Sequence, residues 1–273
     1  MKFAICNETF QDWPFEKAFE FASRCGYQGI EVAPFTINKD VRKISPAERA
    51  DFRQQATQAG LEILGLHWLL AFTEGFYLTS PEPEVRLQTG DYLADLACFC
   101  ADLGGNLMVL GSPQQRNLLP GISHTQGMQY AADVIRHAAP MFAERGVTLA
   151  IEPLSPQEGD FLNTGDLGAE LVDLIDHSCV QLHLDVKAMS SEGTPIADIV
   201  RRHADKMVHF HANDANLRGP GMGEIDFVPI LQALKDINYD GWVCVEVFDY
   251  EPGVEALAKE SITYLKECLT QLS

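Results

Sequence analysis

The stretch ERGVTLAIEPL, residues 144–154, places a glycine at the end of a helix-length segment, runs through an apolar stretch and stops on a carboxylate. A glycine just past a last helical turn is the usual left-handed cap, and the run after it has the length and composition of a strand buried on both faces. The same junction recurs as RCGYQGIEV, QAGLEILGL and DLGGNLMVL. Working outward in both directions gives eight such runs. They are FAICN (Phe3–Asn7), GIEVAP (Gly29–Pro34), EILGLHW (Glu62–Trp68), NLMVLGS (Asn106–Ser112), TLAIEPL (Thr148–Leu154), QLHLDV (Gln181–Val186), MVHFHAN (Met207–Asn213) and WVCVEVF (Trp242–Phe248). Helical periodicity fills Glu16–Arg24, Pro46–Gln58, Glu84–Ala101 and Gln126–Glu144. Eight strands alternating with helices, with no linker or composition break, predict an α/β fold: a closed (β/α)₈ TIM barrel forming a single domain over residues 1–273. No glycine-rich phosphate loop follows the first strand, which argues against an open nucleotide-binding sheet.

The chain of 273 residues is 46% hydrophobic and 22% charged, enough to bury one large core. Its net charge of -19 repels phosphate backbones and anionic lipid, so neither nucleic acid nor a membrane is expected as a partner. A small anionic ligand is still allowed, because a metal ion and local cations can dominate a pocket. The start MKFAICNETF lacks the basic and apolar regions of a signal peptide, and no segment has the apolar length of a membrane span. Seven cysteines, mostly inside apolar or periodic segments, read as small buried hydrophobes in a reduced, cytoplasmic protein.

In TIM barrels the chemistry sits at the C-terminal ends of the strands. Four consecutive strands end on metal-capable side chains: Glu152 in TLAIE, Asp185 in QLHLD, His211 in MVHFH and Glu246 in WVCVE. Carboxylates embedded in runs as apolar as VCVEVF are costly without a counter-charge. Three carboxylates and one imidazole converging on a barrel mouth therefore predict a divalent-metal site. The oxygen-rich set suits Mn²⁺ first, with Mg²⁺, Co²⁺ or Zn²⁺ as alternatives.

The chain resembles the xylose-isomerase-like TIM barrels, which include ketohexose 3-epimerases, hydroxypyruvate isomerase and endonuclease IV. The most specific piece is EPLSPQEGDFLNT (Glu152–Thr164), similar to the epimerase segment with a metal-binding Glu followed by a substrate-binding Glu, here Glu152 and Glu158. HFHANDANLRGPGMGEIDF (His209–Phe227) resembles the metal-histidine segment with its basic residue and Gly-Pro loop, and DINYDGWVCVEVF (Asp236–Phe248) the final strand with its catalytic Glu. The resemblance implies a divalent-metal-dependent isomerase or epimerase acting on a sugar or small keto or hydroxy compound through an enediolate. Glu152 and Glu246 would move the proton, while Asp185 and His211 would be plain ligands. The alternative is a metal-dependent lyase, dehydratase or hydrolase on a modified sugar or inositol derivative, using the same residues; a homo-oligomer is also compatible.

Two positions depart from the family. Ala188 stands where a histidine follows the metal Asp, and Leu217 where the epimerases have an arginine, with Arg218 next. Lys187, read as sharing strand parity with Asp185, and Arg218 are therefore candidate substrate-binding cations. His67, near the end of EILGLHW, is a further substrate-binding candidate. Glu31 is read as a ligand or charge partner, His183 and His209 as deeper barrel residues, and Trp13, Trp68, Phe72 and Phe76 as an apolar wall.

Overall fold

A computed structural model describes residues 1–273. Eight parallel strands close into a barrel in sequence order. They are β1 (Lys2–Cys6), β2 (Gly29–Val32), β3 (Glu62–Leu66), β4 (Leu107–Leu110), β5 (Thr148–Ile151), β6 (Val180–Asp185), β7 (Met207–Ala212) and β8 (Trp242–Val245). Nine α-helices accompany them: α1 (Phe15–Cys25), α2 (Pro46–Gln58), α3 (Pro83–Leu103), α4 (His124–Arg145), α5 (Gly165–Ile175), α6 (Val186–Met189), α7 (Ile196–Arg202), α8 (Phe227–Asp236) and α9 (Val254–Leu269). The expected TIM barrel is therefore the observed fold.

Where the periodicity predicts Glu84–Ala101 and Gln126–Glu144, the helices extend by one or two residues at each end. Caps, which periodicity does not report, account for this. Pro83 opens α3, and Ser123 caps α4 through a reciprocal box with Gln126. Gly104 (φ 92°) and Gly146 (φ 64°) close the two helices in the left-handed conformation.

The apolar interior has two parts. A cluster of 68 buried residues lies where helices pack on the outside of the strands. A separate cluster of seven, Ala4, Cys6, Leu64, Leu107, Val109, Ala150 and Cys244, comes from strands alone and fills the barrel. Strand alternation then sends the next side chains of the same parity up towards the C-terminal mouth. Pairing of Asp185 with His211 across β6 and β7 sets two of the polar ends level with each other. No helix is long and apolar enough to cross a membrane.

Candidate active site

The strand ends gather the four residues read as metal ligands, each fully or almost fully buried. Ligand atoms of Glu152, Asp185 and His211, with those of His183, all lie within 4.8 Å of one another. Glu246 joins through His211, whose Nδ1 stands 3.0 Å from Glu246 Oε2. Close approach of the chain makes room for one of these groups. A Cβ on Gly111, just beyond β4, would stand 1.5 Å from Glu152 Oε2.

Each ligand candidate is held by a neighbour. Asp185 Oδ1 accepts from the Ala188 amide at 2.7 Å and so caps the one-turn helix α6, while Oδ2 accepts from Asn213 Nδ2 at 2.6 Å. Arg116, buried, donates to the Glu152 carbonyl oxygen at 2.6 Å. His211 Nε2 lies 3.0 Å from Glu31 Oε2, which His209 Nε2 also approaches at 2.9 Å. Glu31 is thus the charge partner of two imidazoles beneath the mouth, one of the two roles read for it.

The electrostatics fit a cation. Burial, with Glu246 and Asp185 close by, pushes the Glu152 carboxyl up to about 8. Burial also raises Asp185 against the pull of Lys187. Burial works the same way on Glu246, but hydrogen bonds and charge from His211 and His67 outweigh it and hold that carboxyl well below the usual range. His183 is kept neutral by burial and by His211 and His209, and both of its ring nitrogens lack a partner. Burial opposes charge on His211, but Glu246 and Glu31, which its two ring nitrogens face, outweigh it and raise the ring well above its ordinary value. Crowded carboxylates with no strong cation in direct contact with Glu152, and an imidazole beside them, make a donor set that a divalent ion would satisfy.

The remaining candidates divide. Glu158 and Lys187 are brought together at the mouth, with Lys187 Nζ 2.6 Å from Glu158 Oε1 and 4.0 Å from the centre of the Phe248 ring. The parity reasoning for Lys187 does not hold, because β6 ends at Asp185 and the lysine stands on α6; its long stem reaches the mouth all the same. Burial opposes its charge, but Asp185, Glu158 and Glu246 more than offset this. His67 is buried with both ring nitrogens taken by carboxylates, Nδ1 at 3.1 Å from Glu246 Oε1 and Nε2 at 2.9 Å from Glu8 Oε2. It therefore bears on the mouth through Glu246. Arg218 is not brought to the mouth: its Nε lies 2.9 Å from Asp249 Oδ2, and its other end pairs with Glu251.

Glu152, Glu246, Glu158 and Lys187 line one small cavity of about 90 Å³, roofed in part by Trp68 and Phe248. Trp13, Trp68 and Phe72 line a larger cavity beside it, whereas Phe76 stacks on Tyr92 at 4.4 Å as ordinary packing. Glu8, Arg116 and Asn213 escaped the sequence reading. For Asn213 a signal existed, since it lies two residues past His211 at the end of the same run. Glu8 and Arg116 sit in turns whose side-chain directions no periodicity reports.

The model of the family described as xylose isomerase-like TIM barrel matches residues 19–268. Among curated proteins the chain is similar to a D-psicose 3-epimerase of Ruminiclostridium cellulolyticum, 29% identical over 173 residues. That alignment covers 63% of this chain and 59% of the relative, so less than two thirds of that enzyme's length is spanned. A probable ketose 3-epimerase of Synechocystis sp. is 25% identical over 92% of this chain and 90% of its own. Among solved structures, D-psicose 3-epimerase with D-tagatose from Clostridium cellulolyticum H10 superposes with a TM-score of 0.87 at 21% identity, covering 98% of this chain and 99% of that one. At that identity the likeness is one of fold.

Proposed function

The chain belongs to the xylose isomerase-like TIM barrel family, and from that premise we propose that it is a divalent-metal-dependent isomerase or epimerase of a sugar or small keto or hydroxy compound. One observation carries this reading: two carboxyl groups, Glu152 and Glu246, line the same small cavity. The names of the relatives, ketose 3-epimerases, support the same class of reaction.

Glu152, Asp185, His211 and Glu246 would hold the ion, which as a Lewis acid would acidify the C–H bond beside a chelated carbonyl. The chain itself supplies the proton transfer. Glu246, held ionised by His67 and His211, takes the proton from carbon. Glu152, from its own place in the wall of the same cavity, would return a proton to the planar enediolate. The two stand just past β5 and β8, which β6 and β7 separate in the closed barrel. Lys187 and Glu158 bind substrate oxygens at the rim of the cavity, and Trp68 and Phe248 limit the entry of water.

The test is solvent-deuterium exchange, followed by NMR, over ketoses, aldoses, hydroxypyruvate and inosose with Mn²⁺ added. Exchange at a carbon next to the carbonyl, lost in Glu152→Gln and Glu246→Gln, is expected. Elimination products instead would place the protein among the lyases. No exchange with any of them, from protein that carries the ion, would sink the reading.

A further inference from the structure

The layer of side chains directly beneath the mouth is not what a packed barrel needs. Barrel interiors are ordinarily filled by branched apolar side chains, and Leu64, Leu107 and Val109 serve that end here. On the side formed by β7, β8, β1 and β2, the layer instead holds His211, Cys244, Cys6 and Glu31. Strand register brings them together: Cys6 pairs with Glu31 across β1 and β2, and His211 with Cys244 across β7 and β8. Ala4 pairs with Cys244, which leaves Cys6 one same-facing step further along β1. All four are fully buried.

These side chains make a donor set of their own, sharing only His211 with the mouth. One ligand atom from each lies within 4.8 Å of all the others. Cys6 Sγ stands 3.6 Å from Cys244 Sγ and 4.0 Å from Glu31 Oε2, and His211 Nε2 is 3.0 Å from the same oxygen. Bonds of roughly 2.0–2.3 Å to a single zinc-like ion set tetrahedral donors about 3.3–3.8 Å apart, so the cluster needs only small shifts to close on one. Packing alone does not account for the set. Two thiols would pass as small hydrophobes, but a carboxylate among them does not. His209 and His211 meet Glu31 Oε2, while Oε1 is buried without any hydrogen-bond partner.

We propose that Cys6, Glu31, His211 and Cys244 form a second metal site under the mouth, for a zinc-class ion that ties together the strands on which half of the upper site stands. Two thiolates select a softer ion than the carboxylate-rich mouth does. As the ion binds, the two thiol protons pass to solvent, together with any proton on His211 Nε2. His211 then presents Nε2 to the lower ion and keeps Nδ1 on the Glu246 side. A site with no exposed surface is filled as the chain folds, so the energy of binding becomes energy of folding. The inference does not depend on the sugar chemistry proposed above.

The chain produced in medium with Co²⁺ as the added transition metal, and purified under reductant, meets the probe from the moment it folds. Metal analysis and absorption spectra then test the site. More than one Co²⁺ per chain is expected, with near-ultraviolet thiolate-to-cobalt charge transfer and the strong visible bands of tetrahedral Co²⁺. Cys244→Ser, which keeps the size of the side chain, should abolish the charge transfer and lower the cobalt content. Cys6→Ser should weaken both, and serves if the first variant fails to fold. Absence of thiolate charge transfer in the parent, whatever its cobalt content, overturns the site without recourse to any variant. Charge transfer that survives in full in either serine variant overturns it too. The spectrum also keeps the two metal readings apart. A single Co²⁺ per chain with charge transfer leaves this site and removes the ion proposed for the mouth, whereas a single Co²⁺ without it does the reverse.

Discussion

His67 Nδ1 stands 3.1 Å from Glu246 Oε1, and this single contact ties a fully buried imidazole to one of the two carboxylates proposed to move the proton. The other ring nitrogen is held by Glu8 Oε2 at 2.9 Å. Burial alone would strip the ring of its charge, but the two carboxylates lift it to about 10. Removing it leaves Glu8 and Glu246 buried without the cation between them, a loss of roughly 3–5 kcal/mol. His67→Ala is expected to lower Tm by several degrees and to slow exchange at the substrate carbon by on the order of a hundred-fold. His67→Gln, which can keep one hydrogen bond, should recover part of both. Exchange rates equal to the parent's in His67→Ala would show that Glu246 does not depend on this contact.

Gly111 makes a separate claim on the same site. A methyl group there would collide with the Glu152 carboxylate and not with the core. Gly111→Ala should therefore keep its circular dichroism and most of its Tm, yet bind Mn²⁺ roughly ten- to a hundred-fold more weakly, as expected when the support of a ligand is lost. Titration with Mn²⁺ followed by electron paramagnetic resonance reads this directly. Unchanged affinity would mean that Glu152 does not need its present position to hold an ion.

Much of this was legible in the sequence, for reasons that also mark where it stopped. A strand buried on both faces of a parallel barrel must be a short apolar run, so all eight could be located and the polar residue at each end stood out. That is why Glu152, Asp185, His211 and Glu246 could be picked from four runs. Which groups pair with which could not. Glu31 and His209 lie 178 positions apart and meet only because the barrel closes. Glu8 follows β1 in a 3₁₀ turn, where side-chain direction has no period to read. Arg218 looked free for a substrate because its partners, Asp249 and Glu251, come from the loop after β8. Lys187 was placed at the mouth by strand alternation, although a helix put it there.

Lys187 directly precedes Ala188 in the chain and reaches the mouth from α6. Its ammonium is bonded to Glu158 at 2.6 Å in a cavity wall, where a charge-assisted contact contributes about 1.5–3 kcal/mol. Lys187→Met is accordingly expected to raise KM for a ketose substrate roughly ten- to a hundred-fold with Mn²⁺ content unchanged. Glu158→Gln, which keeps a hydrogen-bonding group in place, should cost less. If Lys187→Met instead loses the ion and leaves KM alone, the lysine serves the carboxylates of the metal site and not the substrate.

Proton linkage supplies a test that needs no substrate. Glu152 has its carboxyl raised from an ordinary 4.5 to about 8 by burial, with Glu246 and Asp185 adding to it. Between those values the folded protein holds a proton that the unfolded chain has lost, so this group's contribution to stability falls as pH rises through the interval. His67, lifted from 6.5 to about 10, acts in the same direction above 6.5. His183 and His209, lowered by burial, pull the opposite way only below their ordinary value of 6.5. The clear window is therefore about pH 7 to 8, where the metal-free protein should lose stability with rising pH. Added Mn²⁺ competes with the proton on Glu152, so its stabilisation should grow over the same interval as the carboxylate becomes available. Tm measured with and without Mn²⁺ at pH 7 and pH 8 should thus show a larger gain at pH 8. A metal-free Tm that climbs across this window, or an equal gain at both values, would mean that Glu152 is already ionised and that the carboxylates are not crowded in the way described.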